Sequence, residues 1–181
     1  KRKVALVTGA ANGIGRAIAL HLLDAGWCVA ALDLPKTRLA PPFRGWARSA
    51  VTIEGDVTDE AVVRDAVRSA IERFGRLDAV VSNAGIMIRK PLAALTLEEW
   101  HRVLATNLTS SFLLARAAAD LLRAARGAIV TIASTRAHMS EPDTEAYAAS
   151  KGGLSGAAAG RGWPRARIET AVEAACSSVM P

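Results

Sequence analysis

The chain has 181 residues, of which 51% are hydrophobic and 22% charged, which excludes a disordered or fibrous protein and favours one folded domain. The net charge is +6, but the Lys and Arg residues are scattered without a basic block, which argues against a nucleic-acid-binding protein. From the residue pattern we expect no membrane span, signal peptide or metal site. Because Cys28 and Cys176 are far apart, we expect reduced thiols and a cytoplasmic protein.

The first half of the chain alternates short apolar runs with a helical pattern. Strands are predicted at residues 4–7, 28–32 and 51–53, with a helix at 14–25 that Gly26 ends. Residues 36–50 contain Pro41 and Pro42 and are predicted to form a loop with at most a broken helix. Thr58 is the predicted N-cap of a second helix, 59–74, which Gly75 ends.

The same alternation continues in the second half. A fourth strand is predicted at residues 77–82, and Thr96 with Glu99 forms a capping box that opens a long helix. This helix is expected to run to 126, with a break near Asn107, and to end at Gly127. A fifth strand at 128–133 and a helix from Tyr147 to about residue 159 follow.

Strands that alternate with helices require crossover connections, and nearly continuous apolar strands are typical of parallel sheets buried on both faces. Right-handed crossovers then give a doubly wound sheet. The sequence therefore predicts an α/β protein with a Rossmann-type doubly wound parallel sheet in a single domain. Ligands of such sheets bind beyond the carboxyl ends of the strands.

A glycine-rich turn directly follows the first strand. Its residues Gly9, Asn12, Gly13, Ile14 and Gly15 allow a tight turn and a close approach of the backbone to a pyrophosphate at the helix N-terminus. A tight strand–helix turn without a ligand has the same pattern. The position between a strand and a helix, with an acid ending the next strand, favours cofactor binding.

That acid is Asp33. Its carboxylate can accept hydrogen bonds from both ribose hydroxyls of an adenosine and repels a 2′-phosphate, which favours NAD over NADP. Lys36 and Arg38 lie close enough along the chain to leave NADP open. A turn-initiating role before Pro35 is the structural alternative for Asp33.

Two further strand ends supply candidate cofactor contacts. Asp56 could accept from an adenine amino group, or it could be a turn residue before Val57. Asn83, Ala84 and Gly85 follow the fourth strand, where a turn lets the backbone pass close to a cofactor.

The candidate catalytic residues lie further along the chain. Tyr147 and Lys151 are four apart in a helical segment and so share one face, and Ser134 follows the fifth strand. A lysine ammonium stabilises a tyrosine phenolate, which makes the phenol a better general acid–base near neutral pH. Ser134 can hydrogen-bond the reacting oxygen, and Asn107 could hold a water near Lys151. Taken singly, each residue could instead be structural.

Together these motifs resemble the short-chain dehydrogenase/reductase family over about residues 3–154. The resemblance implies a nicotinamide cofactor and a Ser134, Tyr147 and Lys151 centre assisted by Asn107, in which Tyr147 is the acid–base and Lys151 also holds the nicotinamide ribose. It further implies a small-molecule alcohol or ketone substrate and a homodimer or homotetramer. Ser82 stands where the family often has a second Asn.

The resemblance is lost after Leu154, so we divide the chain into 1–154, a dinucleotide-binding and catalytic domain, and 155–181, an atypical tail. Glycines and Pro164 interrupt the expected helix, and no further strand-like run follows. We expect a truncated or frameshifted product, or a divergent member whose C-terminal strands are missing or altered. The alternatives to an NAD-dependent oxidoreductase are a cofactor-binding but catalytically impaired chain and an NADPH-dependent 3-oxoacyl-type reductase.

Arg136 lies two residues after Ser134 and could pair with a substrate carboxylate or phosphate. A solvent-facing arginine, or one paired with Glu141, is the preferred interpretation.

Overall fold

The computed structural model describes residues 1–159, which form five parallel strands with helices on both faces. The strands are β1 (Val4–Thr8), β2 (Cys28–Asp33), β3 (Ala50–Glu54), β4 (Ala79–Ser82) and β5 (Ala128–Thr131). The helices are α1 (Gly13–Asp24), α2 (Glu60–Phe74), α3 (Leu97–Leu104), α4 (Ser110–Ala125) and α5 (Glu145–Ala159). The predicted alternation of strands and helices is confirmed, and the sequence from residue 160 onward lies outside the described residues.

The strands lie in the order β3-β2-β1-β4-β5, and all four neighbouring pairs are parallel. Leu6 of β1 is in register with Ala30 of β2 on one side and with Val80 of β4 on the other. The strand order reverses between β1 and β4, which opens a crevice beyond their carboxyl ends. The Rossmann-type doubly wound sheet is thus confirmed, and ligands of such sheets bind at the switch point.

The two faces of the sheet form two separate apolar layers. One layer joins the sheet to α2 and α4, and the other joins it to α1 and the connection between β2 and β3. The first layer includes the buried residues Leu6, Leu32, Val63, Val80, Leu114, Leu122 and Ile129. The second includes Val7, Ala19, Leu23, Val29, Leu39, Phe43 and Val81. Burial on both faces explains why the strands read as continuous apolar runs.

An apolar groove of about 330 Å³ lies on the α1 face of the sheet, beside β4 and β5. Its lining residues are Ile18, Leu22, Trp27, Ala79, Val81, Ala128 and Val130. Within residues 1–159, β5 pairs with a strand on its β4 side alone.

In the same range, no helix combines the length and the hydrophobicity that crossing a bilayer requires.

The start of α2 differs from the sequence prediction by one residue. The N-cap is Asp59, whose carboxylate accepts from the backbone N–H of Ala61 at 2.7 Å, and Thr58 is not the cap. The hydroxyl of Thr58 instead donates to Asp56 at 2.8 Å. Both residue types are good caps, so the choice depends on the turn that precedes the helix.

The capping box of α3 is confirmed, because Thr96 accepts from the backbone of Glu99 and Glu99 accepts from the backbone of Thr96. The expected break near Asn107 is a π-helical turn, Ala105–Thr109, between α3 and α4. Such turns insert one extra residue into a helix and re-aim a side chain.

The end of α4 corrects the role expected of Gly127. The left-handed residue that terminates the helix is Arg126, at φ 52°. Gly127 is needed for another reason, since a Cβ there would lie 2.3 Å from the carbonyl oxygen of Asp78. The glycine thus permits close packing between β5 and the start of β4.

Asp78 joins strand ends at the edge of the sheet opposite the crevice. Its buried carboxylate accepts from the backbone N–H of Val4 at 2.9 Å and from Arg76 Nε at 2.8 Å. Its backbone N–H donates to Val4, and its carbonyl accepts from Ala128. One residue therefore fixes the N-terminal ends of β1, β4 and β5 relative to one another.

Candidate active site

A cleft of about 490 Å³ opens at the carboxyl ends of the strands, where the strand order reverses. Its lining residues are Gly9, Asn12, Gly13, Ile14, Asp33, Leu34, Gly55, Val57, Asn83, Ala84, Gly85, Ile86 and Thr106. Most of the predicted cofactor residues therefore share one cavity wall. Gly15, Asp56, Tyr147 and Lys151 lie outside that lining.

Two glycines of the first turn are required by the side chain of Asn83. A Cβ on Gly15 would lie 2.2 Å from the carbonyl oxygen of Gly9 and 2.4 Å from Asn83 Nδ2. Gly9 has φ 64°, and a Cβ there would lie 2.7 Å from the same nitrogen. Asn83 Nδ2 in turn donates to the carbonyl oxygens of Thr8 at 3.0 Å and Gly9 at 3.3 Å. The Asn83 amide thus packs against the glycine-rich turn and fixes it by hydrogen bonds.

The N-terminus of α1 points into the cleft. Asn12 is the N-cap but makes no side-chain capping hydrogen bond, and the first turn contains no acidic residue. The backbone bonds of the helix begin where the N–H of Arg16 donates to the carbonyl of Asn12 at 3.1 Å. The N–H groups of Gly13, Ile14 and Gly15 therefore precede the first helical bond and are suited to bind an anion.

Asp33 lies at the tip of β2 and lines the cleft. One carboxylate oxygen accepts from the N–H of Ala11 at 2.8 Å, and the other accepts from the N–H of Leu34 at 2.7 Å. Each oxygen keeps a second lone pair that can accept from a ligand. Asp33 therefore orders the turn and also presents an acceptor to the cleft.

Asp56 forms a turn, which is one of the two roles that the sequence allowed; the other was a contact with an adenine amino group. Its Oδ1 accepts from both the backbone N–H of Thr58 at 2.9 Å and its hydroxyl at 2.8 Å. The neighbouring Gly55 and Val57 are the residues that line the cleft at this point.

Ser134 lies just beyond β5 at the same edge of the sheet. It caps a short 3-10 turn, Thr135–Ala137, and its Oγ accepts from the N–H of Arg136 at 3.2 Å. This turn packs against α5, where a Cβ on Gly152 would lie 3.6 Å from the carbonyl oxygen of Ala137. The turn that presents Ser134 is thus adjacent to the helix that carries Tyr147.

Lys151 is buried inside this helix packing, with 4% of its surface exposed. Its Nζ donates to the carbonyl oxygen of Ile132 at 2.6 Å and lies 5.6 Å from the centroid of the Tyr147 ring. Burial penalises the ammonium and lowers the pKa of Lys151 to about 8. A lysine whose pKa lies close to neutral pH, beside a phenol, is suited to assist proton transfer.

Asn107 is 1% exposed and lies in the π-helical turn. Its Oδ1 accepts from the N–H of Ile86 at 2.8 Å, and its Nδ2 donates to the carbonyl of Ile86 at 2.9 Å and to Ser150 Oγ at 3.0 Å. Ser150 also donates to the carbonyl of Tyr147 at 2.7 Å. Asn107 therefore fastens the cleft wall to α5, a positioning contact beyond the water binding expected from the sequence.

Sequence reasoning missed two polar supports of the cleft. Thr8 Oγ1 accepts from the N–H groups of Asn83 and Ala84, both at 3.1 Å, and so joins the ends of β1 and β4. Ser82 and Ser111 share a buried hydrogen bond of 2.6 Å that ties β4 to α4. Thr8 and Ser82 are each a polar residue at the last position of an apolar strand, and this pattern could have indicated their roles from the sequence.

The chain is similar to proteins of known sequence and structure. It is 40% identical to an uncharacterized oxidoreductase of Thermotoga maritima over 156 residues, which cover 84% of this chain and 61% of the relative. It is also 40% identical to the D-threitol dehydrogenase of Mycolicibacterium smegmatis over 158 residues, covering 85% and 61%. The chain thus spans about three-fifths of the length of these curated relatives.

A solved structure, an apo SCOR enzyme from Clostridium thermocellum, superposes with a TM-score of 0.79 at 37% identity, covering 85% of this chain and 63% of that one. The family model described as short chain dehydrogenase matches residues 3–178, which extends beyond Leu154, where the recognised motifs end. With the parallel sheet and the cleft at its switch point, this match shows that the chain belongs to the short-chain dehydrogenase family, a family of oxidoreductases.

Proposed function

We propose that this chain carries the cofactor site and the catalytic residues of an NAD-dependent oxidoreductase that interconverts an alcohol and a ketone. The observation that carries the proposal is the buried Lys151 ammonium, which lies 5.6 Å from the ring of Tyr147 in a helix packed against the turn that follows Ser134. This combination supports a proton-transfer centre, which a reaction at a carbinol carbon requires.

The residues of the cleft fit a nicotinamide dinucleotide. The free N–H groups at the start of α1 would bind the pyrophosphate, and Gly13, where a Cβ would project into open space, leaves room for its approach. Asp33 would accept from the ribose hydroxyls of the adenosine half. When bound, the nicotinamide would accept or supply the hydride.

The chain's own residues would handle the proton and the reacting oxygen. Tyr147 would donate a proton to the carbonyl oxygen in reduction and accept one from the hydroxyl in oxidation. The Lys151 ammonium would stabilise the phenolate, and it is fixed for this by its bond to Ile132. The Ser134 hydroxyl would hydrogen-bond the substrate oxygen as its charge changes.

NAD is the proposed cofactor because Asp33 presents a carboxylate where a 2′-phosphate would lie. The cations Lys36 and Arg38, which follow β2, keep NADP as the alternative cofactor. One relative is a D-threitol dehydrogenase, so secondary alcohols that include polyols are the first substrates to test. We further propose a cytoplasmic homodimer or homotetramer with small-molecule substrates.

The test is a titration of the purified chain with NADH and NADPH, followed by cofactor fluorescence. We expect NADH to bind more tightly than NADPH, and no binding at millimolar cofactor would overturn the proposal. Turnover is then measured with a panel of secondary alcohols and ketones. Tyr147→Phe, which removes one hydroxyl, is expected to keep NADH binding and abolish turnover. Binding without any turnover in the wild-type chain would favour the cofactor-binding but catalytically impaired alternative.

A further inference from the structure

Glu141 lies between two arginines that come from different loops. Its Oε2 accepts from Arg89 at 2.8 Å, and its Oε1 pairs with Arg136. Hydrogen bonds from Arg89 and Arg136 hold the pKa of Glu141 below its usual value, so the carboxylate is ionised at neutral pH. One side chain therefore joins the loop after β4 to the turn after β5.

The backbone of Glu141 forms hydrogen bonds with Thr144, the residue before α5. Its carbonyl oxygen accepts from the Thr144 hydroxyl at 2.7 Å and from the Thr144 N–H at 3.3 Å. The carbonyl of Thr144 then accepts from the N–H of Ala148 at 2.9 Å, within the first turns of the helix that carries Tyr147. Glu141 thus contacts Arg136, two residues after Ser134, and Thr144, three residues before Tyr147.

The contact between the two loops also includes a backbone hydrogen bond. The N–H of Lys90 donates to the carbonyl of Asp143 at 3.1 Å, next to the Arg89–Glu141 pair. On the other side, Arg136 is the residue whose N–H donates to Ser134 Oγ. A displacement of Arg136 would therefore be transmitted to Ser134 through one hydrogen bond.

We propose that Glu141 is a positioning residue that fixes the Ser134 turn relative to the Tyr147 helix by holding Arg136 and Arg89 on one carboxylate. The proposal rests on the proposed function, because it concerns the geometry of the same proton-transfer centre. Exposed ion pairs contribute little to global stability, so the effect of Glu141 is local. The global unfolding midpoint is therefore expected to stay unchanged when the pairs are removed.

The matched pair of variants is Glu141→Gln and Glu60→Gln. Glu60 also accepts from two arginines of different elements, Arg64 at 3.0 Å and Arg116 at 2.7 Å, but it joins α2 to α4 rather than the Ser134 turn to α5. Both substitutions remove a charge and keep the side-chain shape. The comparison thus separates the loss of a surface ion pair from the loss of positioning.

The first measurement needs no catalysis, because Tyr147 is the single tyrosine of the chain. Fluorotyrosine incorporated into the protein gives one fluorine NMR resonance that reports the surroundings of Tyr147. We expect this resonance to shift or broaden in Glu141→Gln and to match the wild type in Glu60→Gln. Identical resonances in wild type and Glu141→Gln, or equal changes in both variants, would overturn the proposal.

The second measurement is kinetic. We expect Glu141→Gln to lower kcat about tenfold or more while leaving the KM for NAD and the unfolding midpoint unchanged, since small misplacements of reacting groups are costly. Glu141→Asp, which keeps the charge, is expected to recover part of the rate. A lower KM for anionic alcohols with unchanged kcat would instead assign Arg136 to substrate binding and overturn positioning. If the wild type shows no turnover, the proposed function fails while the resonance still decides the role of Glu141.

Discussion

The ammonium of Lys151 donates a 2.6 Å hydrogen bond to the carbonyl oxygen of Ile132, so α5 is tied to the backbone that follows β5. The bond places a cation in a buried position, where burial lowers its pKa to about 8. The burial that accompanies this contact therefore makes the stability of the folded chain depend on pH above about 8.

Lys151→Met is expected to change how stability depends on pH. Because the folded pKa of Lys151 is about 8 and its ordinary value is 10.5, the unfolded chain binds more protons between these values. The free energy of unfolding should therefore rise with pH across this window, by about 3 kcal/mol, and the gain should be lost as pH falls through 8. Denaturant unfolding at a series of pH values measures this. Lys151→Met should flatten the rise, whereas exposed Lys36→Met should keep it, and equal slopes in the two variants would contradict the assignment.

Asn107→Ala is expected to destabilise the chain by about 2 kcal/mol, because it leaves the half-buried N–H and carbonyl of Ile86 and the buried hydroxyl of Ser150 without their partner. Chemical denaturation measures the change. Asn12→Ala is the control, since Asn12 is exposed and makes no side-chain capping bond. A loss as small as that of the control would show that water replaces the amide at no cost.

Asp78→Ala should destabilise the sheet by about 2–3 kcal/mol, because the buried carboxylate accepts from Val4 and Arg76. The comparison variant is Asp120→Ala, whose carboxylate pairs with Arg123 on the surface. We expect little change in the unfolding midpoint for that variant. Thermal unfolding of both proteins gives the result, and similar midpoints would refute the role of Asp78 as a joint between strands.

Asp33→Ser tests the proposed cofactor preference. We expect NADH affinity to fall about tenfold, equivalent to about 1.4 kcal/mol, and NADPH affinity to rise as the repelling carboxylate is removed. Fluorescence titration with both cofactors provides the ratio of the NADH and NADPH dissociation constants. Glu54→Ser, at the adjacent end of β3, is the control, and a preference that shifts equally in both variants would argue for a general charge effect.

The strand–helix order and the position of the cleft were predictable because both follow from patterns within the sequence. Burial on two faces gave continuous apolar strands, and parallel strands bring their carboxyl ends to one edge. Helix ends were less predictable, since Asp59 and Arg126 replaced the expected Thr58 and Gly127. At both ends, neighbouring residues could satisfy the backbone, and at α2 the turn that precedes the helix engages Thr58 with Asp56 and leaves the cap to Asp59.

The partners of the site residues could not be derived from spacing. Asn83 braces Thr8 across 75 positions of the sequence, and Asn107 binds the backbone of Ile86. A side-chain amide that pairs with a distant backbone group leaves no local pattern, because any backbone offers the same donor and acceptor. The residue types were therefore visible in the sequence, whereas their supporting contacts required the structure.

The amide of Asn83 occupies the space into which a Cβ at Gly9 or Gly15 would project. Two glycines of one turn and a distant asparagine thus compete for a single volume, and none of the three can enlarge independently. Among homologous sequences both glycines are expected to be retained, since a Cβ at Gly15 would also meet the carbonyl oxygen of Gly9 at 2.2 Å and the φ of 64° at Gly9 disfavours other residues. The shape of this turn is therefore constrained both by its own backbone and by a residue encoded far downstream of it.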